Sequence, residues 1–164
     1  MKDWPVTSTF FDLRYEGRYQ GRIIINIFQN YSRSVNFKLL CSGEYGPSYR
    51  NTCFLWVGNK GRPGEYIEGG DYENNDGTGG ASLLPIPHNE NPSERPPRAG
   101  LILCLGNYDK TGSQFYINLK DGVGLTTRGV GQVTEGLQLL RVASTKLNST
   151  VVQISDCGLV LHNV

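Results

Sequence analysis

The amino-acid sequence predicts a mainly β domain, an antiparallel barrel with two helical segments. Short runs rich in branched and aromatic residues recur along the chain, separated by turn signals. The 164 residues include 21 glycines and 8 prolines, a composition typical of many tight turns. The chain has two segments with a helical pattern, no internal repeat and no clear boundary. We therefore expect one domain over residues 1–164.

The β-strands are predicted from their composition and from the turns that bound them. The first two, 8–14 and 21–28, flank a turn with Gly17 and form a hairpin. The apolar run at 100–105 indicates burial on both faces or in a barrel interior. The other strands are expected at 52–57, 65–68, 114–117, 130–133 and 150–154.

Two helices are predicted beside these strands. Ser32 is the expected N-cap of a helix that runs to about Cys41 and ends at Gly43. Its apolar residues are Val35, Phe37, Leu39 and Leu40. A second helix of one or two turns is expected at 135–140. The long connection at 71–99 is either a working surface or a surface excursion.

The stretch at 112–117 is the one around which the rest of the chain is organised. A Gly-Ser turn leads into alternating residues, which predicts a strand with Phe115 and Ile117 on one face. Gln114 and Tyr116 then lie on the other face. That second face either presents an amide and an aromatic ring to a ligand or is an ordinary polar outer face.

Composition excludes several classes of function. The formal net charge of +1 gives no electrostatic reason to expect nucleic acid or a membrane as partner. The four cysteines have no zinc-ligand spacing and are expected as buried free thiols in a reducing compartment, so we expect an intracellular protein of the cytoplasm or nucleus. Neither a phosphate-binding loop nor a hydrolase motif occurs, and we expect no metal or cofactor.

Five short motifs occur in an order that resembles the cyclophilins, the family of peptidyl-prolyl isomerases, from about Thr9 to Leu159. They are Phe10-Phe11-Asp12, Leu40-Cys41-Ser42-Gly43-Glu44, Gly69-Gly70-Asp71, Gly77-Thr78-Gly79-Gly80 and Asp156-Cys157-Gly158. The resemblance implies a closed eight-stranded antiparallel barrel capped by two helices, with a proline-binding groove on its outside. In the family, an arginine guanidinium assists rotation about the X-Pro bond, whose barrier is ~20 kcal/mol.

Several catalytic positions of the family hold other residue types here. The Phe-His-Arg triplet matches Phe54-Leu55-Trp56, so an indole replaces the guanidinium. The glutamine before Gly-Gly-Asp is Glu68. A later tryptophan and histidine fall near Gly122 and Thr127. The resemblance therefore implies degenerate catalytic positions at Leu55, Trp56, Glu68 and Thr127.

The rest of the groove keeps more of the family's character. Gln114, Phe115 and Tyr116 match its Gln-Phe-Phe strand, and Phe54 and Leu105 complete the expected groove with Trp56 and Glu68. Gly77, Thr78, Gly79 and Gly80 match a secondary pocket of the family, and they are also a turn cluster that requires positive φ. An insertion at 58–64 borders the groove and either blocks or extends it.

Trp56 and Glu68 each allow two interpretations. Trp56 either packs over its strand and closes the proline pocket or stands exposed beside Tyr116 and stacks on a partner's proline ring. Glu68 is expected in solvent or paired with an arginine such as Arg62, and strong desolvation would instead indicate a functional role.

We expect a cyclophilin-like pseudoenzyme that has lost isomerase activity and acts as a protein-interaction or scaffold module. Its partner would be a protein, with a proline-containing segment, and cyclosporin binding is not expected. One alternative is a weakly active isomerase for X-Pro bonds. Another is a structural domain whose groove is unused. The chain is expected to be monomeric or a domain of a larger protein.

Overall fold

A computed structural model of the chain describes residues 7–29, 31–87, 90, 92–105 and 112–161. The described residues form nine β-strands and two α-helices. The strands are β1 (Ser8–Tyr15), β2 (Arg18–Ile27), β3 (Cys53–Phe54), β4 (Trp56–Gly58), β5 (Tyr66–Gly69), β6 (Leu101–Cys104), β7 (Phe115–Asn118), β8 (Gly129–Glu135) and β9 (Val152–Val160). The helices are α1 (Ser32–Ser42) and α2 (Leu137–Ser144).

All nine strands belong to one antiparallel sheet in the order β3-β9-β1-β2-β8-β6-β7-β5-β4. The two edge strands, β3 and β4, are separated in sequence by Leu55 alone. The chain therefore passes from one edge of the sheet to the other within a few residues, and the Leu55 N–H donates to the Glu68 carbonyl at 2.8 Å. This crossing almost closes the barrel. The predicted strand at 52–57 is divided at Leu55, which is why nine strands are observed where eight were expected.

The first hairpin is tighter than the turn predicted for it. A two-residue turn, Glu16-Gly17, joins β1 to β2, and both residues have positive φ, 54° and 71°. Such a turn matches the right-handed twist of the paired strands. Strand β9 is longer than the predicted 150–154 because residues 153–160 pair with β1, with a register shift between Asp12 and Leu13.

Both helices differ from their predicted bounds. Tyr31, not Ser32, is the N-cap of α1, and the Ser32 N–H donates to the Glu90 carboxylate. Val35 is exposed, and the buried face of α1 includes the polar residues Ser34 and Asn36 beside Phe37. Glu135 belongs to β8, because Gly136, with φ 86°, separates that strand from α2.

The barrel interior is built around Phe115. Its ring lies 5.0–6.2 Å from the ring centroids of four other buried aromatic residues, Phe11, Phe37, Tyr49 and Phe54. The Tyr49 hydroxyl donates to the Ser113 carbonyl at 2.7 Å, so the polar end of that ring is also satisfied. Tilted and edge-on ring contacts of this kind hold Phe115, the first residue of β7, in the barrel interior.

Two further sequence predictions concern cysteines and membranes. The four cysteines are free thiols, with Cys41 and Cys104 buried and Cys53 and Cys157 half-buried. Burial raises the pKa of the Cys104 thiol to about 12. Within the described residues, neither helix has the length and apolar character needed to cross a bilayer.

We expect Phe115→Ala to lower the free energy of unfolding by about 3–5 kcal/mol, since it leaves a cavity among four packed rings. Urea denaturation measures the loss. Tyr45→Ala is the matched control, because Tyr45 is 68% exposed, and it should change stability by less than about 0.5 kcal/mol. Similar losses for the two variants would contradict this description of the core.

Candidate functional site

A row of four side chains crosses the outer surface of the sheet. Trp56 of β4 is opposite Glu68 of β5, Glu68 is opposite Tyr116 of β7, and Tyr116 is opposite Leu103 of β6. Their neighbours Ile67 and Ile117 are fully buried in the barrel interior. Because side chains alternate along a strand, the row faces outward. Sheet pairing thus brings together Trp56, Glu68 and Tyr116, three residues that the sequence predicted for the groove.

Trp56 lies between Glu68 of the neighbouring strand and the loop at 71–80. Its indole Nε1–H donates to the Glu68 carboxylate. At the other edge of the ring system, Gly77 lies so close that a Cβ atom there would be 2.7 Å from Trp56 Cη2. Trp56 nevertheless remains 42% exposed. The ring is held at two edges and open to solvent elsewhere.

Glu68 is desolvated, contrary to the expectation of a solvated or Arg62-paired carboxylate. The residue is 6% exposed and accepts its bond from the Trp56 indole. Burial raises the pKa of the Glu68 carboxyl above its ordinary value, and the indole bond offsets part of that rise. Glu68 is therefore buried and bonded to Trp56, not solvated and not paired with Arg62.

The loop at 71–80 is organised by one carboxylate. Asp71 is fully buried, and both of its oxygens accept backbone N–H groups. The donors are Glu73, Asn74, Asp76, Gly77 and Gly79. Burial by itself would raise the pKa of the Asp71 carboxyl, but these N–H bonds outweigh it and lower the pKa to about 2. This ionised hub fixes Gly77 under the Trp56 ring.

Gln114 connects β7 to the same loop. Its amide Nε2 donates to the carbonyls of Gly77 at 3.0 Å and Gly79 at 2.7 Å. Both amide hydrogens are therefore used within the protein.

Thr78 is exposed and donates to Asp76. Gly80 makes room for Ser113, whose Oγ would be 2.2 Å from a Cβ at that position. The turn-cluster interpretation of 77–80 accounts for these contacts.

A cleft lies beside the row and is called here the Tyr116 cleft. Tyr66 and Tyr116 form its floor, with ring centroids 4.6 Å apart. Its volume is about 290 Å³. The remaining lining residues are Asn59, Pro63, Gly64, Pro97, Leu103, Asn118, Gly122, Val123, Leu125 and Thr126. Trp56 does not line this cleft, so its ring does not close it.

Two loops form the walls of the Tyr116 cleft. The insertion at 58–64 is one wall, and the Gly64 N–H donates to the Asp121 carbonyl of the opposite loop at 2.9 Å. Asn59, Pro63 and Gly64 are the residues of the insertion that line the cleft. The other wall carries Val123 and Leu125, which are 86% and 64% exposed. Gly122 lines the cleft as well, and Thr127 is absent from its described lining.

Other predicted groove residues lie elsewhere. Phe54 and Phe115 are buried in the barrel interior, because the strand alternation that exposes Tyr116 turns Phe115 inward. Leu55 is the crossing residue between β3 and β4, and the Leu105 N–H donates to the Gln114 carbonyl. Tyr66 lines the cleft and was not among the predicted groove residues. Its period-two spacing from Glu68 places it on the outer face and is the signal that identifies it.

A comparison with protein-family models agrees with this architecture. Residues 10–159 match the model described as cyclophilin type peptidyl-prolyl cis-trans isomerase/CLD. The chain belongs to this family. Within the described residues, no three His, Cys, Asp or Glu side chains are grouped so that they could hold a metal ion.

We expect Asp71→Asn to destabilise the protein and to flatten its acid dependence. The folded pKa of about 2 lies below the ordinary value of 3.8, so the stabilisation by Asp71 is complete above pH 3.8 and is lost as pH falls toward 2. The linked free energy is about 2–3 kcal/mol, because a pKa difference of one corresponds to about 1.36 kcal/mol. Urea unfolding at several pH values between 2 and 6 measures it.

Asp76→Asn is the control for this prediction, because it removes a carboxylate of the same loop that accepts bonds from Thr78. It should cost less stability and leave the acid dependence below pH 3.8 in place. An equal effect of the two substitutions would show that Asp71 is not the hub of the loop.

Proposed function

We propose that this cyclophilin-family domain binds a proline-containing segment of a protein partner without catalysing its isomerisation. One observation carries the proposal. At the position that matches the family's arginine, the donor is the single N–H of Trp56, and that N–H is bonded to Glu68. A neutral donor that is already used has nothing left to offer a prolyl bond.

The replacement of an arginine by a tryptophan removes a large part of the transition-state stabilisation that the family's mechanism requires. Rotation of an X-Pro bond has a barrier of ~20 kcal/mol, and catalysis requires donors aimed at the twisted amide. A guanidinium supplies five N–H groups and a permanent charge, whereas an indole supplies one N–H and no charge. Removal of a single preorganised donor typically costs about 10²–10³ in rate. We therefore expect no useful isomerase activity.

Binding has independent support from the Tyr116 cleft. Two tyrosine rings, tilted by 44° to each other, form its floor, and Leu103, Val123 and Leu125 give it an apolar lining. Its volume of about 290 Å³ lies at the small end of the range of about 300–1,000 Å³ for ligand sites. A site of this size and character suits one ring of a peptide, such as that of proline, and not a whole cofactor.

A weakly active isomerase is the second candidate. The observation in its favour is the same open cleft, because desolvation of an X-Pro bond in an apolar site lowers its barrier to some extent without a charged donor. The two candidates differ in turnover and agree in binding, so a rate measurement separates them.

The test is a prolyl isomerase assay on an Ala-Pro-Phe peptide with the wild type, Trp56→Arg and Trp56→Arg/Glu68→Gln. We expect no rate above background for the wild type. The single variant places its guanidinium against a buried carboxylate that neutralises it. The double variant restores both family residue types and should exceed the wild type at least roughly tenfold.

Glu68→Gln alone is the matched control, since it changes the carboxylate and keeps the indole, and it should remain inactive. Circular dichroism confirms that each variant is folded. A wild-type rate well above background would overturn the proposed loss of activity and favour the weakly active isomerase.

A further inference from the structure

The exposed part of the Trp56 ring is a second surface beside the Tyr116 cleft. One edge of the indole is fixed by Glu68 and the other rests on Gly77, while 42% of the residue stays exposed. Asp76 precedes Gly77 and is exposed. We refer to this indole, with the Glu68 carboxylate bonded at one edge and Gly77, which follows Asp76 in the loop, at the other, as the Trp56 face. We propose that the Trp56 face binds a lysine or arginine side chain of the segment that occupies the cleft.

The charge distribution around the Trp56 face favours a cation. Residues 63–94 contain no lysine or arginine. The acidic residues in this stretch are Glu65, Glu68, Asp71, Glu73, Asp76, Glu90 and Glu94. Of these, Asp71 and Glu73 shape the 71–80 loop by accepting its N–H groups, and Asp76 directly precedes Gly77, the loop residue at the edge of the ring. The Lys120 ammonium forms an ion pair with Glu65 at 3.9 Å.

The ring itself attracts positive charge. The π face of tryptophan binds ammonium and guanidinium groups more strongly than that of tyrosine or phenylalanine. Donation of the indole N–H to the Glu68 carboxylate increases the electron density of the ring, which strengthens this attraction. The position that holds a cationic side chain in the family thus holds an aromatic ring in this chain, and that ring binds a cation of the partner.

The distance between the two surfaces limits the ligand. Trp56 and Tyr116 are two strands apart, with β5 between them, which corresponds to roughly 10 Å. An extended peptide advances ~3.3–3.6 Å per residue. A lysine two residues from the proline, with its long side chain, therefore spans the gap. This inference rests on the proposed function, because it takes the proline of the same segment to occupy the cleft.

The test compares short peptides that share one proline and carry lysine two residues before or two residues after it. Matched peptides have norleucine in place of lysine, and a third set has alanine in place of proline. NMR titration follows the Trp56 indole N–H and the Tyr116 amide. One of the two lysine peptides should bind roughly two- to fivefold more tightly than its norleucine match, and salt should reduce this difference.

Two protein variants locate the preference. Trp56→Leu keeps an apolar side chain and should abolish the preference for lysine while norleucine peptides still bind. Asp76→Asn, an exposed and milder change, should reduce the preference without affecting the norleucine peptides.

The outcomes separate the two proposals. Equal affinity of lysine and norleucine peptides, with Tyr116 shifted by both, overturns the cation site and leaves the proline cleft standing. If no proline-containing peptide shifts Tyr116, the proposed binding function fails, and the two-part ligand fails with it.

Discussion

The bond between the Trp56 indole and the Glu68 carboxylate is the interaction on which the outer surface of this barrel depends. It joins two neighbouring strands and satisfies two groups that would be costly to leave unpaired. A buried carboxylate without a partner is expensive, and an indole N–H has one bond to give. Each residue therefore determines the role of the other. At the positions that match the family's arginine and glutamine, Trp56 and Glu68 are hydrogen-bonded to each other.

Two parts of the chain, the crossing at Leu55 and the loop at 71–80, hold Trp56 and Glu68 in place. The crossing at Leu55 carries the chain from β3 to β4 and sets Trp56 opposite Glu68. The loop at 71–80, fixed by the Asp71 carboxylate and by Gln114, brings Gly77 under the far edge of the indole. These contacts hold the indole at two edges and leave the rest of Trp56 open to solvent. Because one fold can carry different functions, the function of this domain has to be argued from such surface residues.

Much of the fold was predictable from local signals. Glycine-rich motifs marked the turns, and period-two alternation at β7 correctly placed Phe115 and Ile117 inward and Tyr116 outward. Helix α1 was predicted less well, because its buried face includes Ser34 and Asn36 and hydrophobicity alone points to the exposed Val35. The replacement of the family's arginine by Trp56 was visible in the sequence. The partner of Glu68 was not, because it depends on the pairing of β4 with β5 across the insertion at 58–64.

The measurement that tests this account most directly is an NMR pH titration of the Trp56 indole proton. The chain has two tryptophans, so Trp56→Phe assigns the resonance. We predict a single titration with a midpoint above 4.5, because burial raises the pKa of Glu68, and its disappearance in Glu68→Gln. An indole proton that exchanges rapidly with solvent and does not respond to pH would contradict the pairing of Trp56 with Glu68.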